Sequence, residues 1–475
     1  MPRAALAFGP YLLDERSRRL HRDGVALPMT QRHISLLHCL ASNPGMPVSK
    51  DALIAAGWKM SFVTDNSVEQ AMSRLRRALG PRPDGVPYIE AVPRLGYRLT
   101  VAVQRVVSRE SASALRGLLL PERDFIEGRD ALETLHSSQE AAEDSFRRAL
   151  AVRPDDALTR AGLANACRFK YEATRIDITP DLDSLIEARR QADEACALDP
   201  ECAEAWATLG TVLASQGNDE AALAVRRAIA LEPSNWRHTL RLSAVSWGEA
   251  RLRAAERALQ QLPDLALAHW FAATVHVARQ AYSSAMRHAE AGSRAQDAQT
   301  PDARFGAVGL HWLRGLLLLH AGDEAEAEKA FCAELNVPQS SHIYSREAHA
   351  NSWYALGVLY LRRNAKDQSL VAFEHALALV PSHVLALAGR AIVTNTLGGV
   401  RVQALSQRFE VSLAKAAGIV SIGNHVAAAA IVRDALTQWE GASVGWIVPV
   451  EPLLRVNESP AVWADVLTTL RTRAA

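Results

Sequence analysis

Residues 353–381 carry a spaced signature that leaves few folds open. It reads Trp353-x2-Leu356-Gly357-x2-Tyr360, then Ser369-x3-Phe373-x2-Ala376, then Pro381. A second copy runs Trp206-x2-Leu209-Gly210-x2-Leu213, Ala221, Val225, Ala228 and Pro233, one residue short in the turn around Gly217. Partial copies follow the same order: Ala142, Phe146, Ala149 and Pro154; Ala188, Ala192, Ala195 and Pro200; Gly315, Gly322, Ala327 and Phe331. Pro200 to Pro233 is a step of 33 residues. Small residues let two antiparallel helices approach, the large ones fill the groove between them, and the proline ends the second helix. No single pair buries its apolar face, so neighbours must stack into a superhelix.

This spacing resembles the tetratricopeptide repeat, whose period is ~34 residues. It predicts an all-α tetratricopeptide superhelix over residues 121–398, of about seven helix pairs. Residues 399–475 are less regular and are expected to form a helical extension. Within it, Ile447–Pro452 should be extended and Pro460–Arg473 a last helix. In the resemblance, Trp206, Trp270, Trp312 and Trp353 are packing residues, and the concave face takes a protein or peptide partner.

The first ~103 residues follow a different pattern. Ala4–Phe8 and Tyr11–Asp14 read as short strands. Arg18–Arg22 and Val25–Leu27 flank Asp23-Gly24, a hairpin signal. Three helices should follow: one capped by Thr30, one capped by Ser49, and Asn66–Leu79, with Asn66 and Glu69 spaced as a capping box. Pro87–Val92 and Leu95–Val101 then alternate as strands. Residues 104–120, serine-rich between charges, read as a linker.

Charge divides along the same boundary. The first 105 residues hold 15 Lys and Arg against 8 Asp and Glu, a balance of +7. The remainder holds 38 against 44, a balance of −6. A basic module joined to a mildly acidic one points to a nucleic-acid partner for the first.

On a helical wheel, Val68, Ala71, Met72, Leu75 and Leu79 share one face of the third helix. Asn66, Gln70, Ser73, Arg74 and Arg77 fall opposite, with Ser67 and Arg76 on the flanks. That outward side is read as acid-free, with hydrogen-bonding side chains set between arginines. Arginine pairs with guanine O6 and N7, and glutamine with adenine N6 and N7, in the major groove. Arg94 and Arg98 lie on the following hairpin, within reach of phosphates.

Together, Val48-Ser49-Lys50-Asp51-x-Leu53, Trp58, Asp65-Asn66-Ser67-Val68-Glu69, Ser73-Arg74-Leu75-Arg76-Arg77-Ala78-Leu79-Gly80 and Gly96-Tyr97-Arg98-Leu99 resemble the OmpR/PhoB-type winged-helix DNA-binding domain. The resemblance covers residues ~4–103 and implies an α+β winged helix as a domain of residues 1–103. It implies Gln70 and Arg74 as base readers, and Asn66, Ser67, Ser73, Arg76, Arg77 and Arg98 as mainly phosphate contacts, with Arg94 on the wing. It also implies that the loop bearing Trp58, Lys59 and Phe62 faces RNA polymerase. The first helix opens Thr30-Gln31-Arg32-His33 without an early acid, and Pro93 and Leu95 replace commoner wing residues. Neither a receiver domain nor a membrane helix is expected, which makes HilA-type and CadC-like soluble regulators the nearest pattern. The implied function is a cytoplasmic transcription regulator bound to double-stranded DNA, as a homodimer on direct repeats about 10 bp apart.

Other chemistries find little support. Five widely spaced cysteines without C-x-x-C argue against a disulfide framework or a cysteine zinc site. No H-E-x-x-H and no P-loop occurs, and Gly441-Ala-Ser443-Val-Gly445 lacks the strand–turn–helix setting of a nucleophile elbow. No enzyme activity, cofactor or metal is expected. A second reading stays open, a scaffold whose winged helix binds protein; DNA affinity across salt separates the two.

Overall fold

In the computed structural model the chain divides into two compact units, Met1–Ile126 and Glu127–Ala475. The structure describes residues 5–14, 18–22, 25–58, 65–80, 82, 86–93, 95–106, 124–125, 127–129, 132, 139–299, 306–338, 342–396, 408–439, 441 and 443–475.

The first unit begins with β1 (Ala5–Phe8), β2 (Tyr11–Asp14), β3 (Arg19–Arg22) and β4 (Val25–Ala26). Helices α1 (Gln31–Ala41), α2 (Lys50–Gly57) and α3 (Asp65–Leu79) follow, then the hairpin β5 (Ile89–Val92) and β6 (Gly96–Leu99), then β7 (Gln104–Val106). Strands β4-β3-β2-β1-β7 make one antiparallel sheet and β5-β6 the other. Leu6, Phe8, Tyr11, Leu13 and Leu20 turn into a core shared with Ile34, Leu36, Leu37 and Leu40 of α1.

The caps are where the sequence puts them. Thr30 Oγ1 accepts from the His33 amide at 3.4 Å, and Ser49 Oγ accepts from the Ala52 amide at 3.2 Å. The third helix differs. It starts at Asp65, one residue early, and Glu69 forms no capping box: its carboxylate takes Lys50 Nζ at 3.1 Å. The linker boundary differs too. Gln104–Val106 pair with Ala5–Ala7 on the open edge of β1, so the first unit runs past residue 103. Residues 107–120 of the expected linker lie outside the described residues.

The second unit is helical throughout its described residues. It comprises α4 (Gln139–Val152), α5 (Ala157–Thr174), α6 (Leu182–Leu198), α7 (Ala203–Ser215), α8 (Ala221–Leu231), α9 (Trp236–Val245) and α10 (Gly248–Gln261). Then come α11 (Ala266–Ala278), α12 (Tyr282–Asp297), α13 (Leu310–Ala321), α14 (Glu324–Leu335), α15 (Ser345–Arg362), α16 (Lys366–Leu379) and α17 (Val384–Val393). Each packs on its chain neighbour. The repeat spacing acquires a steric meaning here. Phe146 wedges against Gly162, Phe331 against Gly315, and Phe373 against both Gly357 and Gly389. A Cβ on Gly357 or Gly389 would lie 2.6 or 2.3 Å from the Phe373 ring. Ser369, which departs from the alanine of the pattern, is fully buried and donates to the Gly357 carbonyl at 2.7 Å.

The stack does not stop at residue 398. Helices α18 (Arg408–Ser421) and α19 (His425–Gln438) pack as a further pair, with α18 against α17. Ile447–Pro452, expected to be extended, instead winds a 3-10 turn at Val448–Val450 whose residues are buried. The last helix, α20, spans Ala464–Arg473. Among the described residues no helix is long and apolar enough to cross a membrane.

Candidate nucleic-acid interface

Helix α3 is built to expose one side. Val68, Met72, Leu75 and Leu79 are completely buried and Ala71 nearly so, as the wheel predicts. Gln70, Ser73, Arg74 and Arg77 are exposed, and Ser67 is half-buried. None of Gln70, Ser73, Arg74 and Arg77 has a hydrogen bond or ion pair among the described residues. Arg74 faces His33 of α1. Burial first, then the Arg74 and Arg32 cations, hold the His33 imidazole below its ordinary range, which favours its neutral form.

Arg76 does something else. It is half-buried, donates Nε to the Ile89 carbonyl at 2.8 Å, and lies 5.7 Å from the Tyr97 ring centre. It ties α3 to the hairpin, so its first duty is to position the wing. The hairpin is fixed from the other side by Val48, which exchanges both backbone hydrogen bonds with Tyr97, at 2.7 and 3.0 Å. Gly96 makes that contact feasible: its φ is +122°, and a Cβ there would lie 2.0 Å from the Val48 carbonyl oxygen.

Two features modify the sequence reading of this surface. Glu69 is exposed on α3, so the helix is not acid-free, although Lys50 engages its carboxylate. Arg98 is also engaged: its Nε and Nη2 donate to Glu90 Oε2 at 2.9 and 2.8 Å. Neither Glu90 nor the Lys50–Glu69 pair was singled out by the sequence. The signal for Glu90 was present in the hairpin register, which sets it opposite Arg98.

The expected polymerase loop fares worse at the one position described. Trp58 is only 7% exposed, ends α2, and has the Arg32 guanidinium 5.0 Å above its ring. It belongs to the core and is unavailable to a partner. Lys59, Phe62 and Arg94, and the side chain of Asn66, lie outside the described residues.

The repeats carry a feature that the sequence does not announce. Across three successive pairs, the first helices α11, α13 and α15 are covered by the chain's own residues 446–474. Trp446 meets Trp270 edge-on at 6.2 Å, and Val450 joins the cluster of Trp312, Leu313 and Leu356. Tyr354 donates to Glu451, Asn457 to the His320 carbonyl at 3.1 Å, and Gln280 to the Leu467 carbonyl at 2.8 Å. A partner peptide would find this stretch filled. The tryptophans pack as expected: Trp270 stacks on Trp312 at 6.0 Å and Trp353 on His375 at 4.5 Å. Ser443 sits in a turn, not after a strand. Among the described residues no three His, Cys, Asp or Glu are grouped to hold a metal ion.

Comparison with known proteins agrees with the first unit's geometry. Residues 24–99 match the family described as transcriptional regulatory protein, C terminal. The chain is 36% identical over 104 residues to the transcriptional activator CadC of Escherichia coli (strain K12), covering 22% of this chain and 20% of CadC. The solved DNA-binding domain of E. coli CadC is covered over 100% of its length, at 34% identity, 22% of this chain and a TM-score of 0.20. The helical unit is similar in fold to human IFIT1, solved as a dimer with m7Gppp-AAAA (15% identity, 69% of this chain, 76% of that one, TM-score 0.50). A tetratricopeptide repeat protein from Parabacteroides merdae is also similar (14%, 58% and 99%, TM-score 0.40). The chain thus carries an OmpR/PhoB-type transcriptional-regulator DNA-binding domain, followed by a helical repeat region. It matches only a fifth of the length of CadC.

Proposed function

We propose that this protein is a sequence-specific transcription regulator, without catalytic activity of its own, that acts in the cytoplasm. Helix α3 enters the major groove, where Gln70 and Arg74 read base edges and Ser67, Ser73 and Arg77 hold phosphates. The observation that carries this reading is the exposed Gln70–Ser73–Arg74–Arg77 face, which has no hydrogen bond or ion pair among the described residues, on the helix that the resemblance to an OmpR/PhoB-type domain assigns to the major groove. Arg76 and the Val48–Tyr97 bridge hold the wing in register beside it. Tandem binding on direct repeats about 10 bp apart fits a module of this kind. The helical array receives a protein or peptide partner on the part of its first-helix face that residues 446–474 leave uncovered. An electrophoretic-shift titration of the full chain on selected duplexes tests the DNA reading. Specific complexes should form and Arg74→Ala should lose discrimination; equal affinity of wild type and Arg74→Ala at every site would remove the assigned role of Arg74.

A further inference from the structure

Among the described residues the wing carries one charged pair on its outer face. Glu90 and Arg98 stand directly opposite each other in the β5–β6 register. Their neighbours Ile89, Tyr97 and Leu99 are buried, so the alternation of a strand turns Glu90 and Arg98 outward. Both donors on one edge of the Arg98 guanidinium go to a single oxygen, Oε2 of Glu90, and the two side chains remain 42% (Arg98) and 46% (Glu90) exposed. Arg76 anchors the same strand pair to α3. The pair therefore stands beside the helix assigned to the bases, whereas Arg74 and Arg77 on that helix have no acidic partner among the described residues.

Resting on the DNA reading above, we propose that Glu90 is a positioning residue that restrains the wing's grip on DNA phosphates by holding Arg98 in an exchangeable ion pair. A carboxylate and a phosphate oxygen are alternative acceptors for the same guanidinium edge. In the free protein Glu90 occupies that edge. On DNA, Arg98 must give up the carboxylate before it takes a phosphate. The wing then releases fewer counterions than its arginine would by itself, which lowers sequence-independent affinity and flattens its dependence on salt. The base contacts of Gln70 and Arg74 are untouched, so they carry a larger share of the binding.

The test is a fluorescence-anisotropy titration of the full chain on a selected duplex and on a random one, from about 50 to 300 mM salt. Glu90→Gln keeps the size of the side chain and removes its charge. It should tighten binding to both duplexes by about five- to tenfold near 0.1 M salt. It should also steepen the slope of log K against log salt by about 0.9, the value of one added phosphate contact. On an Arg98→Ala background the same change should have less than a twofold effect, because Glu90 acts through Arg98. Both side chains are about half exposed and their pair lies at the surface, so the thermal melts of all variants should nearly superimpose. Weaker or unchanged binding by Glu90→Gln, or its full gain persisting without Arg98, overturns the proposal while leaving the DNA reading standing. Failure of the wild type to bind either duplex at the lowest salt overturns both.

Discussion

Arg74 and Arg98 share a side chain but not a situation. Arg74 projects from α3 with no acceptor among the described residues, whereas Arg98 has its acceptor across the hairpin. Truncating Arg74 to alanine should cost about 1–3 kcal/mol of binding and relax base preference at one position. Gly96 is the residue on which the wing's placement turns. Gly96→Ala meets both an unfavourable positive φ and the Val48 carbonyl. It should destabilise the first unit by roughly 2–4 kcal/mol, read as faster hydrogen exchange across residues 86–106. The sequence reached Arg74 because helical periodicity sorts inward from outward residues without knowledge of the rest of the fold. It also reached Arg98, but not the acid that holds it, because that pairing exists only once β5 and β6 have paired in register. Trp58 was assigned to a contact loop through likeness alone; nothing local in the sequence tells that Arg32 would cover its ring.

Among elements, the helix pairs were the most legible, since Gly, Ala, Phe and Pro at fixed steps encode close approach and termination directly. Phe373 touches two glycines on two helices, Gly357 and Gly389. Phe373→Ala should therefore open a cavity in two interfaces and cost about 3–5 kcal/mol in denaturant unfolding. Less legible was the start of α13. Its cap position, Gly309, has φ +91° and no side chain to offer. The missing acceptor comes from the far end of α14. The fully buried Glu334 carboxylate takes the Gly309 amide at 2.7 Å, the His311 amide at 3.1 Å and Gln296 Nε2 at 3.2 Å. Glu334→Ala strands those donors in the interior and should cost about 2–4 kcal/mol, with loss of exchange protection at the first turn of α13. Strand β7 was missed because three residues on a sheet edge have no alternation to read; their partner is the first strand of the chain. The segment Ile447–Pro452 reads as extended in the sequence, yet the φ near −65° that proline fixes suits a 3-10 turn equally.

In the molecule as a whole, residues 446–474 join helices far apart in sequence, and their attachment is linked to protons. Burial raises the Glu451 carboxyl to about 7, against an ordinary value of 4.5, while hydrogen bonds from Tyr354 and Leu453 only partly offset it. A carboxyl raised on folding must be protonated to stay buried at no cost. The attachment is accordingly strongest below pH 4.5, weakens as pH climbs to about 7, and is level above that. Glu451→Gln should abolish this fall. It should stabilise residues 443–474 against exchange by about 3 kcal/mol at pH 8 and leave pH 4 unchanged. The division of charge, +7 in the first 105 residues and −6 in the rest, was visible before any fold, and the reading of the molecule as a DNA-bound regulator grows from it. The most direct test is the salt dependence of duplex binding by the full chain, wild type beside Arg74→Ala. A selected duplex should be bound well above a random one, affinity should fall steeply and linearly in log salt, and the variant should lose the difference between the two duplexes. Wild-type affinity that is equal on both duplexes, or insensitive to salt, would contradict it.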